Sequence, residues 1–113
     1  MSFSHEELGW ADLVRIVDRF DSSNAPDIEG KLLELLASGS NAVLIEISAV
    51  TLLASAGLRT ILVAAKEAAK RGKKSILVGP NDSARRVLEI SRLDAVLSIV
   101  DTVEDARALA EEG

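Results

Sequence analysis

Short apolar runs alternate along this chain with segments whose apolar residues recur at helical spacing. Leu13-Val14-Arg15-Ile16-Val17 reads as a strand, preceded by a weaker one within Ser2–Leu8 and joined to it by Gly9-Trp10. So short a link makes that pair antiparallel. Asn24, Ala25, Pro26 and Asp27 then open a helix, with Asn24 as the capping side chain, proline in the first turn and an acid three residues after the cap. The helix runs to about Ala37, carries Ile28, Leu32, Leu35 and Leu36 on one face, and stops at Gly39.

Ala42-Val43-Leu44-Ile45-Glu46-Ile47 is the most apolar strand. A helix over Leu58–Arg71 follows, with Leu58, Ile61, Leu62, Ala65, Ala68 and Ala69 facing inward and Gly72 ending it. Ser75-Ile76-Leu77-Val78 is the next strand, and Gly79-Pro80-Asn81-Asp82 turns into a shorter helix around Ser83–Ser91. A last strand, Leu97-Ser98-Ile99-Val100, leads to a helix opened by Thr102 and Asp105 at capping-box spacing. Strands alternating with helices of this length imply βαβ crossovers. The pattern therefore predicts an α/β fold: one domain over 1–113, with a mixed, mostly parallel sheet of four to five strands and about four helices.

The 113 residues suit a single core. No apolar run approaches the ~18–20 residues that span a bilayer, so no membrane insertion is expected. The N-terminal residues lack the basic start and apolar stretch of a secretion signal. There is no cysteine, which removes thiol chemistry and fits a reducing cytoplasm. A net charge of −5, with no basic face carrying aromatic platforms, argues against nucleic acid as a partner. Lys66, Lys70, Arg71, Lys73 and Lys74 form one basic cluster, read as a solvated helix end favoured by the helix dipole.

Candidate chemistry centres on Ala54-Ser55-Ala56-Gly57-Leu58, a corner between a strand and a helix. Small neighbours leave the Ser55 hydroxyl uncrowded, beside the unpaired N–H groups of a helix start. A serine there is a helix cap, worth about 1 kcal/mol, or a chemical switch. Asp21 follows the end of the Leu13–Val17 strand as Ser55 follows the Ala42–Ile47 strand, so parallel neighbouring strands would bring both to one sheet edge. Asp21 reads equally as an interface residue or as an Asx-type turn. Glu46 is expected to face solvent or a helix end, Trp10 to cover one end of the core, and His5 to sit in a frayed terminus. One histidine and no cysteine give a transition metal little to bind, and no cofactor is implied. The chain has no nucleophile–histidine–acid set or glycine-rich phosphate loop, so an enzyme is not expected.

Four segments in order resemble the STAS domain family, especially bacterial anti-sigma factor antagonists: Phe20–Pro26, Ile45–Leu58, Arg85–Asp94 and Val100–Ala106. The resemblance covers about residues 10–110. It implies a non-enzymatic protein that switches partners. The unmodified form binds an anti-sigma factor that is also a serine kinase of the histidine-kinase-like ATPase type. The kinase phosphorylates the serine matched by Ser55, and a PP2C-type phosphatase reverses this. Asp21, Ser22 and the Ala54, Ser55, Ala56, Gly57, Leu58 loop would form the contact surface, extended by the exposed face of the Leu58–Arg71 helix. The chain departs from the family at Ala54, which replaces the aspartate before the serine, and at Asp18 and Arg92, where glycine is common. Ala54 keeps open a second reading, a non-phosphorylated STAS subunit or scaffold binding, for example, an ABC-transporter ATPase.

Overall fold

A computed structural model of the chain describes residues 2–112; Met1 and Gly113, the expected ends of the domain, lie outside these. The elements in chain order are β1 (Phe3–Glu7), β2 (Asp12–Phe20), α1 (Ala25–Ala37), β3 (Ala42–Leu53), α2 (Ser55–Lys70), β4 (Lys74–Val78), α3 (Asp82–Ile90), a 3-10 turn at Leu93–Ala95, β5 (Ser98–Val100) and α4 (Val103–Ala110). One sheet of five strands holds them in the order β1-β2-β3-β4-β5. β1 is antiparallel to β2 and every other pair is parallel. This is the mixed, mostly parallel α/β sheet expected. Gly9 permits the β1–β2 turn with φ +88°, a conformation that strains side-chain-bearing residues.

The strands are buried on both faces over their central residues. Val14, Ile16, Val43, Ile45, Ile47 and Leu77 face the side covered by α1, α2 and α3. Leu13, Leu44, Ile76 and Val78 face the other, where Ala106 of α4 packs among them. Trp10 joins this second core, and Arg107 of α4 lies 5.7 Å from its ring centroid, at cation–π distance. Strand order follows chain order without reversal, so the C-terminal sheet edge lacks the switch-point crevice of doubly wound folds and presents a surface instead.

Two elements differ instructively from expectation. β2 and β3 run on to Phe20 and Leu53, well past Val17 and Ile47. Beyond Ile47 only Val50 and Leu53 are buried, while Ser48, Ala49, Thr51 and Leu52 are exposed. Register shifts between β2 and β3 around these residues turn a period of two into a period of three. α2 begins at Ser55 and is rotated by roughly a quarter turn from the expected face. Gly57, Thr60, Ile61, Ala64 and Ala68 are buried, Leu58, Leu62 and Ala65 are half-buried, and Ala69 is exposed. Small residues let the helix approach closely, and this displaces the leucines to its flanks.

The basic cluster is not merely a solvated helix end. The Lys73 ammonium donates to the Leu36 carbonyl at the end of α1, and Lys74 donates to Leu109 (2.6 Å) and Glu112 (2.8 Å) at the end of α4. Adjacent lysines at the start of β4 thus hold helix C-termini on opposite faces of the sheet, where orphan carbonyls and the dipole favour cations.

Candidate functional site

The site is built where β2 and β3 end. Phe20 pairs with Leu53, so Asp21 and Ala54 leave the sheet side by side. The Ala54 N–H donates to the Phe20 carbonyl at 3.0 Å and carries the pairing one residue into the corner. Gly57 lies over this junction. A Cβ added there would stand 2.7 Å from the Phe20 carbonyl oxygen and 2.8 Å from its ring, so only glycine fits without movement.

Ser55 is the first residue of α2, not its cap. Ala54 holds the cap position with extended backbone, and its carbonyl accepts from the Leu58 N–H at 3.0 Å. The cap reading of Ser55 therefore fails, because a capping hydroxyl must come from the residue that Ala54 occupies. Ser55 is exposed, and its hydroxyl has no hydrogen-bond partner among the described residues. The first turn of α2 has neither a capping side chain nor an acid, which leaves its backbone donors open to solvent.

Asp21 forms an Asx-type turn, one of the two readings the sequence left open for it. Its carboxylate accepts from the Ser23 N–H (3.0 Å), the Ser23 hydroxyl and Arg19 Nε (3.0 Å). The Ser23 hydroxyl and N–H, with Arg19, hold this carboxyl below the usual carboxylate range despite a small upward push from burial. Asn24 stands at the cap position of α1 but makes no cap bond. Its amide instead donates to the Arg19 carbonyl (2.6 Å) and accepts from the Asp21 N–H (3.0 Å), clamping the loop that presents Asp21 and Ser22. Between α1 and α2, a shallow cleft of about 220 Å³ runs from Ser22 past Ala56 to Arg59 and Thr60. The buried Thr60 hydroxyl donates to Glu29 across it at 3.3 Å.

Asn81 escaped the sequence reading as a structural tie. It caps α3 by accepting from the Ala84 N–H (2.9 Å), and its amide donates to the Val50 carbonyl (2.8 Å). It therefore anchors the bulged end of β3, on which the serine corner is mounted. Glu46 accepts from the Ser48 N–H (3.1 Å) and hydroxyl (2.8 Å) and lies 4.0 Å from Arg15 Nε on β2. His5 is not frayed but lies within β1, 2.7 Å from Asp12, lining a polar cleft of about 490 Å³ at the opposite sheet edge. Burial pushes the Asp12 carboxyl up, but hydrogen bonds from His5 and Ser40 and the charges of His5 and Lys31 outweigh it and lower its pKa. Among the described residues no three histidine, aspartate or glutamate side chains are grouped to hold a metal ion. No helix among them is long and apolar enough to cross a membrane.

Asp18 and Arg92 both adopt φ +63°, the left-handed conformation that glycine takes most easily. Arg92 follows the last turn of α3 at the position where glycine commonly ends helices. The Asp18 carbonyl accepts from the Thr51 hydroxyl (3.1 Å) where β2 and β3 shift register.

A mostly parallel sheet with three helices on one face, a short helix on the other and an exposed serine corner at its C-terminal edge defines a small α/β domain with a surface site. The chain belongs to the STAS domain family, whose model matches residues 9–106. Over 73 residues it is 36% identical to a Thermotoga neapolitana protein named as an anti-sigma factor antagonist homologue, the match spanning 65% of each chain. The crystal structure of a Thermotoga maritima protein of the same designation superposes with a TM-score of 0.89 at 23% identity, covering 97% of this chain and 95% of that one. The Bacillus cell-fate determinant SpoIIAA, in its phosphorylated form, superposes with a TM-score of 0.74 at 19% identity, covering 94% and 96%.

Proposed function

We propose that this protein is an anti-sigma factor antagonist. It docks through Asp21, Ser22 and the Ala54–Leu58 corner on an anti-sigma factor that is also a serine kinase of the histidine-kinase-like ATPase type. Phosphorylation of Ser55 releases it, and a PP2C-type phosphatase restores it. The observation that carries this reading is the Ser55 hydroxyl, exposed and unengaged at the start of α2, one strand from Asp21. Similarity to proteins named as antagonists supports it.

A phosphate there adds roughly −1.5 to −2 charges to a surface otherwise matched to a neutral hydroxyl. Asp21, held ionised by its hydrogen bonds, stands at the neighbouring strand end, so the phosphate adds to negative charge already present at the contact surface. Ala54 favours the second reading, a STAS subunit or scaffold that is never phosphorylated, for instance one binding an ABC-transporter ATPase.

Calorimetry with the chain's own anti-sigma factor separates the two. Ser55→Asp is expected to weaken binding at least about tenfold, or about 1.4 kcal/mol, while Ser55→Ala binds like wild type but is not released in the presence of kinase and ATP. Equal affinities for wild type and Ser55→Asp would overturn the switch.

A further inference from the structure

We infer that the exposed face of α2 is a docking surface for an acidic, amphipathic segment of a partner protein, with Arg59, Lys66 and Lys70 as its cations and Leu62 at its apolar centre. This deepens the antagonist reading by naming the chemistry of the partner, and rests on it only for the identity of that partner.

Ser55, Arg59, Leu62, Lys66 and Lys70 are spaced four, three, four and four apart, and so lie along one stripe of the helix. The stripe faces away from the buried Gly57, Ile61, Ala64 and Ala68. It holds three cations and no acid in a chain of net charge −5. Among the described residues, none of the three cations has a carboxylate within 4.0 Å, whereas neighbouring Arg71 is tied to Glu67 at 2.6 Å. The nearby acids are otherwise engaged: Glu67 by Arg71, and Glu29 by the Thr60 hydroxyl.

The apolar part follows from the rotation of α2. Leu62 is a core residue by hydropathy, yet close packing at Gly57 leaves it half-exposed between Arg59 and Lys66. Beside it, Val63, Lys66, Glu67, Ala69 and Lys70 line a shallow groove, in which the Glu67 carboxylate is taken up by Arg71. A cationic stripe with an apolar centre matches a helix or loop carrying glutamate or aspartate beside leucine or valine. A lipid surface fits less well, because Leu62 and Val63 are only half-exposed and the stripe carries no aromatic ring. The stripe begins at Ser55, so a phosphate one turn from Arg59 would neutralise it where it meets the serine corner.

The test uses the full chain, ¹⁵N-labelled, at low salt. The probe is a designed helical peptide with glutamates along one edge of a leucine face, and its control carries lysines in place of the glutamates. The glutamate peptide is expected to shift amide resonances on the exposed side of Ser55–Lys70, to weaken about tenfold with Arg59→Glu/Lys66→Glu, and to dissociate as salt rises. Leu62→Gln, which keeps every charge, is expected to weaken it severalfold, as is Ser55→Asp. The inference is overturned if the glutamate peptide leaves α2 unshifted, if charge reversal does not change its affinity, or if the lysine peptide binds equally. It is also overturned if phosphatidylserine vesicles or duplex DNA bind the stripe while the glutamate peptide does not. An anti-sigma factor that failed to bind the wild-type chain would overturn the antagonist reading and leave these peptide results standing.

Discussion

Replacing Gly57 by alanine is the most discriminating perturbation of the serine corner, because two effects of opposite sign compete there. Gly57 lies in the first turn of α2, and alanine favours helix by up to about 1 kcal/mol. Against this, the new Cβ would meet the Phe20 carbonyl oxygen at 2.7 Å, the Phe20 ring at 2.8 Å and Leu53 Cδ1 at 3.1 Å. The first of these is backbone and the second a fully buried ring, so neither can swing away. Overpacking of this kind costs about 1–3 kcal/mol. The struck oxygen is also the one that accepts the Ala54 N–H, a bond worth about 0.5–1.5 kcal/mol. The net expectation is a destabilisation of about 1–3 kcal/mol, or a fall in Tm of roughly 4–13 °C. Urea denaturation followed by circular dichroism measures it. Gly30→Ala in α1 is the internal control: the added Cβ meets nothing within 4 Å, so helix propensity alone acts and stability rises by about 0.5–1 kcal/mol. A Gly57→Ala protein as stable as wild type would refute the claim that close approach at this residue sets the pose of α2.

Ser55→Ala should change stability by less than about 0.5 kcal/mol, since the hydroxyl caps nothing; a loss near 1 kcal/mol in thermal denaturation would restore the cap. Arg92→Gly should stabilise by about 0.5–1 kcal/mol in the same assay, by relieving a left-handed residue at a helix end; no gain would mean that the Arg92 side chain has contacts of equal worth. Lys74→Met should cost about 1–3 kcal/mol by leaving the Leu109 and Glu112 carbonyls without their charged donor, and hydrogen exchange should show α4 opening first. The Asp12 carboxyl has a lowered pKa in the folded state, so its stabilisation is present above the unfolded value of about 3.9 and is lost as pH falls through the folded value. The stability gap between wild type and Asp12→Asn should therefore shrink on acidification below about pH 4, and a gap constant with pH would refute the pairing with His5.

The α/β class, the antiparallel first pair, the α1 face of Ile28, Leu32, Leu35 and Leu36, and the Thr102 cap were all legible in the sequence. Each is a local property: apolar spacing within a few turns, or a side chain reaching three residues along its own backbone. The serine corner was legible for the same reason, as a run of small residues between a strand and a helix. Tertiary structure decided what depends on two segments at once. The reach of β3 to Leu53 needed the bulges against β2, which replace the period of two by one of three. The cap position fell to Ala54 because its N–H is held by Phe20, from a strand thirty-odd residues earlier. Asn24 spends its amide on the Arg19 carbonyl rather than on its own helix, and Asn81 reaches the Val50 carbonyl, because the folded chain brings those acceptors against the two side chains. The face of α2 was settled by Gly57 against Phe20, a steric contact that hydropathy does not record. That contact turns Leu62 outward and sets Arg59, Lys66 and Lys70 in line with Ser55.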